Sequence, residues 1–127
     1  MKFPAIRSYP RPAQPAGPPV LLGSRDKNAL KRVAKWGDGW CPIRISVDEM
    51  KAATAELREE CQKAGRDYAR LDLTVMGSVG NERPKAQDEL GRYAALGVGR
   101  FVIALVAGAL GPDKYAPELE RLANAYI

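Results

Sequence analysis

The sequence has no histidine, and that absence closes several chemical routes. A Ser-His-Asp hydrolase is excluded, and any general acid or base must be a carboxylate, Lys, Tyr or Cys. Cysteine is almost as scarce. Cys41 and Cys61 are the only two among 127 residues and form no C-x-x-C pair, so a Cys/His zinc site is not available. Both are read as reduced, mostly buried thiols. No uninterrupted apolar run reaches membrane-spanning length, and the opening MKFPAIRSYP is charged without an apolar core, so a soluble, cytoplasmic protein is expected. The G-x-G-x-x-G and Walker-type glycine patterns are also missing, which weakens ordinary dinucleotide and P-loop readings.

What is present fits one modest domain, with 46% hydrophobic residues to build a core. Lys and Arg number 20 against 15 acidic residues, for a pI near 9.4. A positive surface favours anionic partners without choosing between phosphate esters, nucleic acids and acidic lipids.

Six of the ten prolines fall within residues 4 to 19. Their spacing forbids helix and interior strand and predicts an extended lead-in over residues 1–19, either a disordered or linker-like segment or one that Phe3 and Tyr9 pack against something larger. Residues 20–127 then alternate in period. Val20-Leu21-Leu22 reads as a buried parallel strand, followed by a helix from Asp26 with Ala29, Leu30, Val33, Ala34 and Trp36 on one side and Lys27, Lys31, Arg32 and Lys35 on the other. Ser24 or Asp26 caps its start and Gly37 ends it. Asp38 to Pro42 offers a very short strand. Ser46-Val47-Asp48-Glu49 is a capping box opening a second helix with Met50, Ala53, Leu57, Cys61 and Ala64 inward. LDLTVMG is a third strand. Beyond a polar loop at Gly80, Asn81 and Glu82, Pro84 opens a third helix with Leu90, Tyr93, Ala94 and Leu96 inward. RFVIALV (100–106) is a fourth strand, and Leu119, Leu122, Ala123 and Tyr126 form the inner side of a last helix.

Four βα units in succession imply parallel strands joined by right-handed crossovers, either in an open doubly wound sheet or in part of a (β/α)8 barrel. Ligands meet the C-terminal strand ends in both. Those ends are Gly23-Ser24-Arg25, Cys41-Pro42-Ile43, Met76-Gly77-Ser78 and Val106-Ala107-Gly108. The first suits an anion: glycine admits a ligand to the backbone, helix amides point outward, and Ser24 and Arg25 add a hydroxyl and a guanidinium.

Taken together, PPVLLGS, ALKRVAKWGDGWCP, a helix ending AGRD, LDLTV and ELGRYAALGVGRFVIAL resemble the C-terminal part of the bacterial luciferase-like flavin and deazaflavin oxidoreductases. The most telling motif is D-G-W-x-P at Asp38 to Pro42, with P-P-x-x-x-G upstream and L-G-V downstream. The resemblance implies a (β/α)8 TIM-type barrel of which this chain supplies the last four units, a half-barrel. Such a half either pairs with itself or needs an upstream half, and a truncated reading frame is the plainer alternative. It further implies FMN or coenzyme F420 as cofactor and a small-molecule substrate, with no metal. Gly23, Ser24 and Arg25 would lie by the cofactor phosphate, although Ser24 replaces the family's second glycine. Trp40, Cys41 and Pro42 would line the ring cavity, and Asp38 would orient the strand end by accepting backbone amides. No catalytic base is assigned. The competing reading is a non-catalytic module using Lys27, Lys31, Arg32 and Lys35 to hold nucleic acid or an acidic protein. Against it stand the lack of a nucleic-acid motif and of aromatics interleaved with the basic run.

Overall fold

The structure, a computed structural model, describes residues 9–15, 17–26, 28–79, 87–105 and 111–126. Its elements run β1 (Leu21–Leu22), α1 (Ala29–Trp36), β2 (Gly39–Trp40), α2 (Val47–Lys63), β3 (Asp72–Val79), α3 (Gln87–Ala95), β4 (Arg100–Leu105) and α4 (Tyr115–Tyr126), with short 3-10 turns at Tyr68–Arg70 and Pro112–Lys114. The strands form one sheet in the order β1-β2-β3-β4, every neighbouring pair parallel. A doubly wound sheet reverses its strand order at a switch point. None occurs here, and four parallel strands with four helices make half of a (β/α)8 unit.

Strand alternation divides the sheet into two faces. Leu73 and Val75 of β3 and Trp40 of β2 join Leu30, Val33 and Ala34 of α1, Met50, Leu57 and Cys61 of α2, and Tyr93 of α3 in one core. Asp72, Thr74 and Met76 alternate to the opposite, inner face, as do Arg100 and Val102, the register partners of Thr74 and Met76. Three helices thus cover one face.

The β1–β2 contact is clasped by Asp38. Its carboxylate accepts the Val20 amide at 2.8 Å, and its own amide donates to the Val20 carbonyl at 2.9 Å. Asp38 therefore does the backbone work expected of it. Beside it, Gly39 is a steric requirement: a Cβ there would lie 2.2 Å from the Asp72 carbonyl oxygen of β3. Arg66, in the AGRD segment, closes the C-terminal end of α1. Its Nη1 donates to the Gly37 carbonyl at 2.7 Å and, at 3.0 Å, to the Val33 carbonyl, which also accepts the Gly37 amide of the helix cap.

The capping box at Ser46 and Glu49 is formed as its sequence predicts. Several expectations change. Helix α1 starts at Ala29 rather than Asp26, because Asp26 folds into the preceding turn. Trp36 and Leu119 are 52% and 55% exposed instead of inward, since helical spacing places a residue on a side but does not say whether a neighbouring element covers that side. Ala64, Ala94 and Ala123 are likewise exposed, and Val20, expected inside a buried strand, precedes β1 and is 46% exposed. In the proline-rich lead-in, residues 9–15 and 17–19 contain no helix or strand, and Tyr9 is exposed rather than packed. The expected loop at Gly80, Asn81 and Glu82, the helix start at Pro84, and Phe3 lie outside the described residues.

Substituting Gly39→Ala should destabilise the fold by about 2–3 kcal/mol through backbone overlap. By contrast, Gly91→Ala on α3, where an added Cβ meets nothing within 4 Å, should stabilise by about 0.5–1 kcal/mol. Urea midpoints at unchanged m-value measure both.

Candidate functional site at the strand ends

The C-terminal ends of β1, β2 and β3 converge on the loop from Cys41 to Ser46, and four elements hold that loop. Arg44 donates its amide to the Met76 carbonyl of β3 at 2.8 Å, and its carbonyl accepts Arg25 Nη1 at 3.1 Å. The Tyr93 hydroxyl of α3 donates to the Ile45 carbonyl. Glu49 of α2 accepts the Ser46 amide and hydroxyl, each at 2.8 Å. Arg44 itself sits at φ 53°, a left-handed conformation that a non-glycine residue adopts only when its surroundings impose it. A fixed strand-end loop of this kind can present backbone groups to a ligand with little reorganisation.

Glu49 is the hub of the loop. One carboxylate oxygen serves Ser46, while the other forms an ion pair with Arg25 Nη2. Its pKa lies below the usual carboxylate range, chiefly because of the Ser46 amide, then the Ser46 hydroxyl, with Arg25 adding to it. Asp26 has a parallel role on the β1–α1 turn. It accepts the Ser24 hydroxyl at 2.7 Å, the Asn28 amide at 2.7 Å and Arg32 Nη2 at 2.7 Å, and the Ser24 hydrogen bond leads the causes that lower its pKa. The donors expected to receive an external anion, Ser24 and Arg25, are therefore already engaged by internal carboxylates.

The expected site residues separate into two groups. Gly23 and Cys41 lie side by side where β1 and β2 end, a Cβ on Gly23 standing 3.4 Å from the Cys41 carbonyl oxygen. Cys41 shares the inner face with Asp72 and Arg100. Burial pushes its thiol up, Asp72 adds to that and Arg100 opposes it, so it is a neutral thiol rather than a thiolate nucleophile. Arg25 and Trp40 belong to the helix side. They line a groove of about 290 Å³ between α1 and α2, together with Leu30, Ile45 and Glu49. Trp40 is only 2% exposed, and its indole N–H donates to the Ser24 carbonyl at 2.9 Å. It thereby props the β1–α1 turn from below. Pro42 is fully buried.

Several residues of the site were not singled out from the sequence. Arg44 carries no glycine-like signal for its left-handed backbone. The capping box marks Glu49, but nothing local announces that its second oxygen meets a residue 24 positions away. On the inner face Arg100 Nη2 pairs with Asp72 Oδ2 at 3.2 Å, and the buried Thr74 hydroxyl donates to Asp72 Oδ1 at 2.8 Å. The signal for that cluster was the alternation of Leu71-Asp72-Leu73, which puts the carboxylate opposite the core. On the outer side Lys31, Arg32 and Lys35 of α1 are exposed, Arg32 being paired with Asp26, and Lys27 lies outside the described residues. Among the described residues no His/Cys/Asp/Glu cluster is placed to hold a metal ion, and no helix is long and apolar enough to cross a membrane. The end of β4 at Val106, Ala107 and Gly108 lies outside the described residues.

Parallel strands in sequential order, helices on one face and a pinned loop at the C-terminal strand ends define a segment of a (β/α) barrel. Residues 1–124 match the family model described as luciferase-like monooxygenase, and the chain belongs to that family. No curated protein matches the chain.

The position of Glu49 sets a pH dependence. Its folded pKa is depressed, so its stabilising contribution is fully present above the unfolded value of about 4.3 and is lost as pH falls through the lower folded value. Glu49→Gln should accordingly lower the urea midpoint at neutral pH, with the gap from the native protein narrowing as pH falls through the depressed folded value.

Proposed function

We propose that the chain provides the C-terminal half of the site of a flavin- or deazaflavin-dependent oxidoreductase, with FMN or coenzyme F420 as cofactor. The observation that carries this reading is the family match over residues 1–124. When bound, such a cofactor supplies the hydride chemistry, while the protein binds its phosphate and orients its ring.

The residues present fit the phosphate conditionally. Arg25 would be the cation that receives it, and Gly23 leaves the backbone open beside it. Arg25 is half exposed and held by an exposed carboxylate, Glu49. Solvent screens a pair of this kind and leaves it weak, so a phosphate dianion can replace Glu49 at the guanidinium without large cost. Glu49 would keep its two bonds to Ser46, leaving the loop in place during the exchange. The ring would lie towards Cys41 and the apolar upper part of the inner face, where Ile43 is 50% exposed beside Met76. Trp40 and Pro42 would act from beneath, Trp40 by fixing the turn that carries Ser24 and Arg25.

Titration of the chain with FMN and with riboflavin, followed by flavin fluorescence, tests this assignment. FMN should bind more tightly than riboflavin, and Arg25→Ala should weaken FMN by about tenfold or more while leaving riboflavin unchanged. A parallel titration uses coenzyme F420. Retention of neither FMN nor F420 would overturn the redox reading, and an FMN preference that survives Arg25→Ala would overturn the phosphate assignment.

A further inference from the structure

Tyr93 of α3 is 1% exposed and packs among the apolar side chains of the core, where phenylalanine would fill nearly the same space. Burying a hydroxyl costs free energy unless it finds a partner, and this one donates to the Ile45 carbonyl, 48 positions earlier in the chain. We infer that Tyr93 is a positioning residue for the cofactor site: it fixes the loop that aims Arg25, without touching a ligand itself. The inference rests on the assignment of Arg25 to the cofactor phosphate and deepens it.

The hydroxyl acts at the junction of the loop with α2. Ile45 precedes Ser46, the N-cap, whose own carbonyl accepts the Met50 amide of the helix at 2.8 Å. The Ile45 carbonyl therefore lies outside the helical ladder and takes a donor from α3. One residue earlier, the Arg44 amide is fastened to the Met76 carbonyl of β3 at 2.8 Å. These two anchors bracket a left-handed backbone, Arg44 at φ 53°, which a non-glycine residue keeps only under restraint. Between the anchors stands the Arg44 carbonyl, and this is the group that accepts Arg25 Nη1 at 3.1 Å. Release of either anchor lets that peptide turn, and the guanidinium loses the acceptor that aims it.

Tyr93 is itself held firmly. Its ring lies against Phe101 of β4, with centroids 5.7 Å apart and planes inclined at 51°, a tilted arrangement that aromatic pairs favour. Phe101 in turn packs over Gly77 of β3, where an added Cβ would stand 3.1 Å from the ring. Gly77 adjoins Met76, the residue that anchors the Arg44 amide. The contacts thus close into a circuit through Met76, Arg44, Ile45, Tyr93, Phe101 and Gly77. On the other side of Arg25, the Trp40 indole N–H donates to the Ser24 carbonyl at 2.9 Å. Two buried aromatic side chains, each through its polar tip, therefore set the stem of Arg25 and the acceptor at its end.

Tyr93→Phe removes the hydroxyl and keeps the ring. In hydrogen exchange of the chain without cofactor, the Arg44 amide should exchange about three- to tenfold faster in this variant, the effect of losing one hydrogen bond. That acceleration should exceed any change at the Leu57 and Cys61 amides of α2, which report general stability. In flavin titrations the variant should lower the preference for FMN over riboflavin by a similar factor, with riboflavin affinity unchanged. A tyrosine that only stabilises the core would shift all these amides together and leave the FMN preference as it is; either result would overturn the inference. Failure of the unsubstituted chain to bind FMN or F420 would overturn the cofactor reading, and exchange at Arg44 would then alone decide whether Tyr93 positions the loop.

Discussion

Every strand of this sheet runs in the same direction, and most of the remaining architecture answers that constraint. Parallel neighbours cannot be joined by a hairpin, so each must be reached by a crossover. Right-handed crossovers in sequential strand order deliver α1, α2 and α3 to one side. The outcome is a core that is dense between helices and sheet, and a second face whose chemistry is separate. The two faces use charge differently. On the helix side ionic groups are solvated or capped at the rim, while on the inner face a carboxylate, a hydroxyl and a guanidinium satisfy one another.

At the strand ends a single carboxylate coordinates much of the geometry. Glu49 caps its own helix, fixes the start of that helix relative to the loop, and reaches back to Arg25 in the preceding unit. Consecutive βα units are thereby tied at the mouth by one side chain, as Asp38 and Arg66 tie them at the opposite end. An internal anion that occupies the cation of a candidate phosphate site also keeps that cation positioned and partly desolvated. The site would thus be preorganised by the group that its ligand displaces.

Periodicity made the framework legible in the sequence. The 3.6 spacing of Met50, Leu57 and Cys61, the Ser46-Glu49 box and the apolar run at 100–105 give their elements directly, and the sequential parallel order follows the alternation of those elements. Less legible was everything set by distance along the chain. Trp36 and Leu119 sit at apolar positions of amphipathic helices, yet their burial depends on elements beyond their own helix. Trp40 in a buried strand reads more readily as core than as a cofactor wall, and strand alternation sets it towards the helices. For Ser24 and Arg25 the residue types were informative about anions, but their partners, Asp26 and Glu49, decide which anions they now hold.

The two tryptophans occupy opposite environments, Trp40 sealed beneath the β1–α1 turn and Trp36 half exposed at the C-terminal end of α1. The chain therefore contains two optical probes that water separates. Emission from Trp36 is accessible to aqueous quenchers such as iodide, while that from Trp40 is shielded and responds to the state of the turn above it. Replacing one indole at a time by phenylalanine divides the intrinsic fluorescence into a signal from the end of α1 and a signal from the mouth.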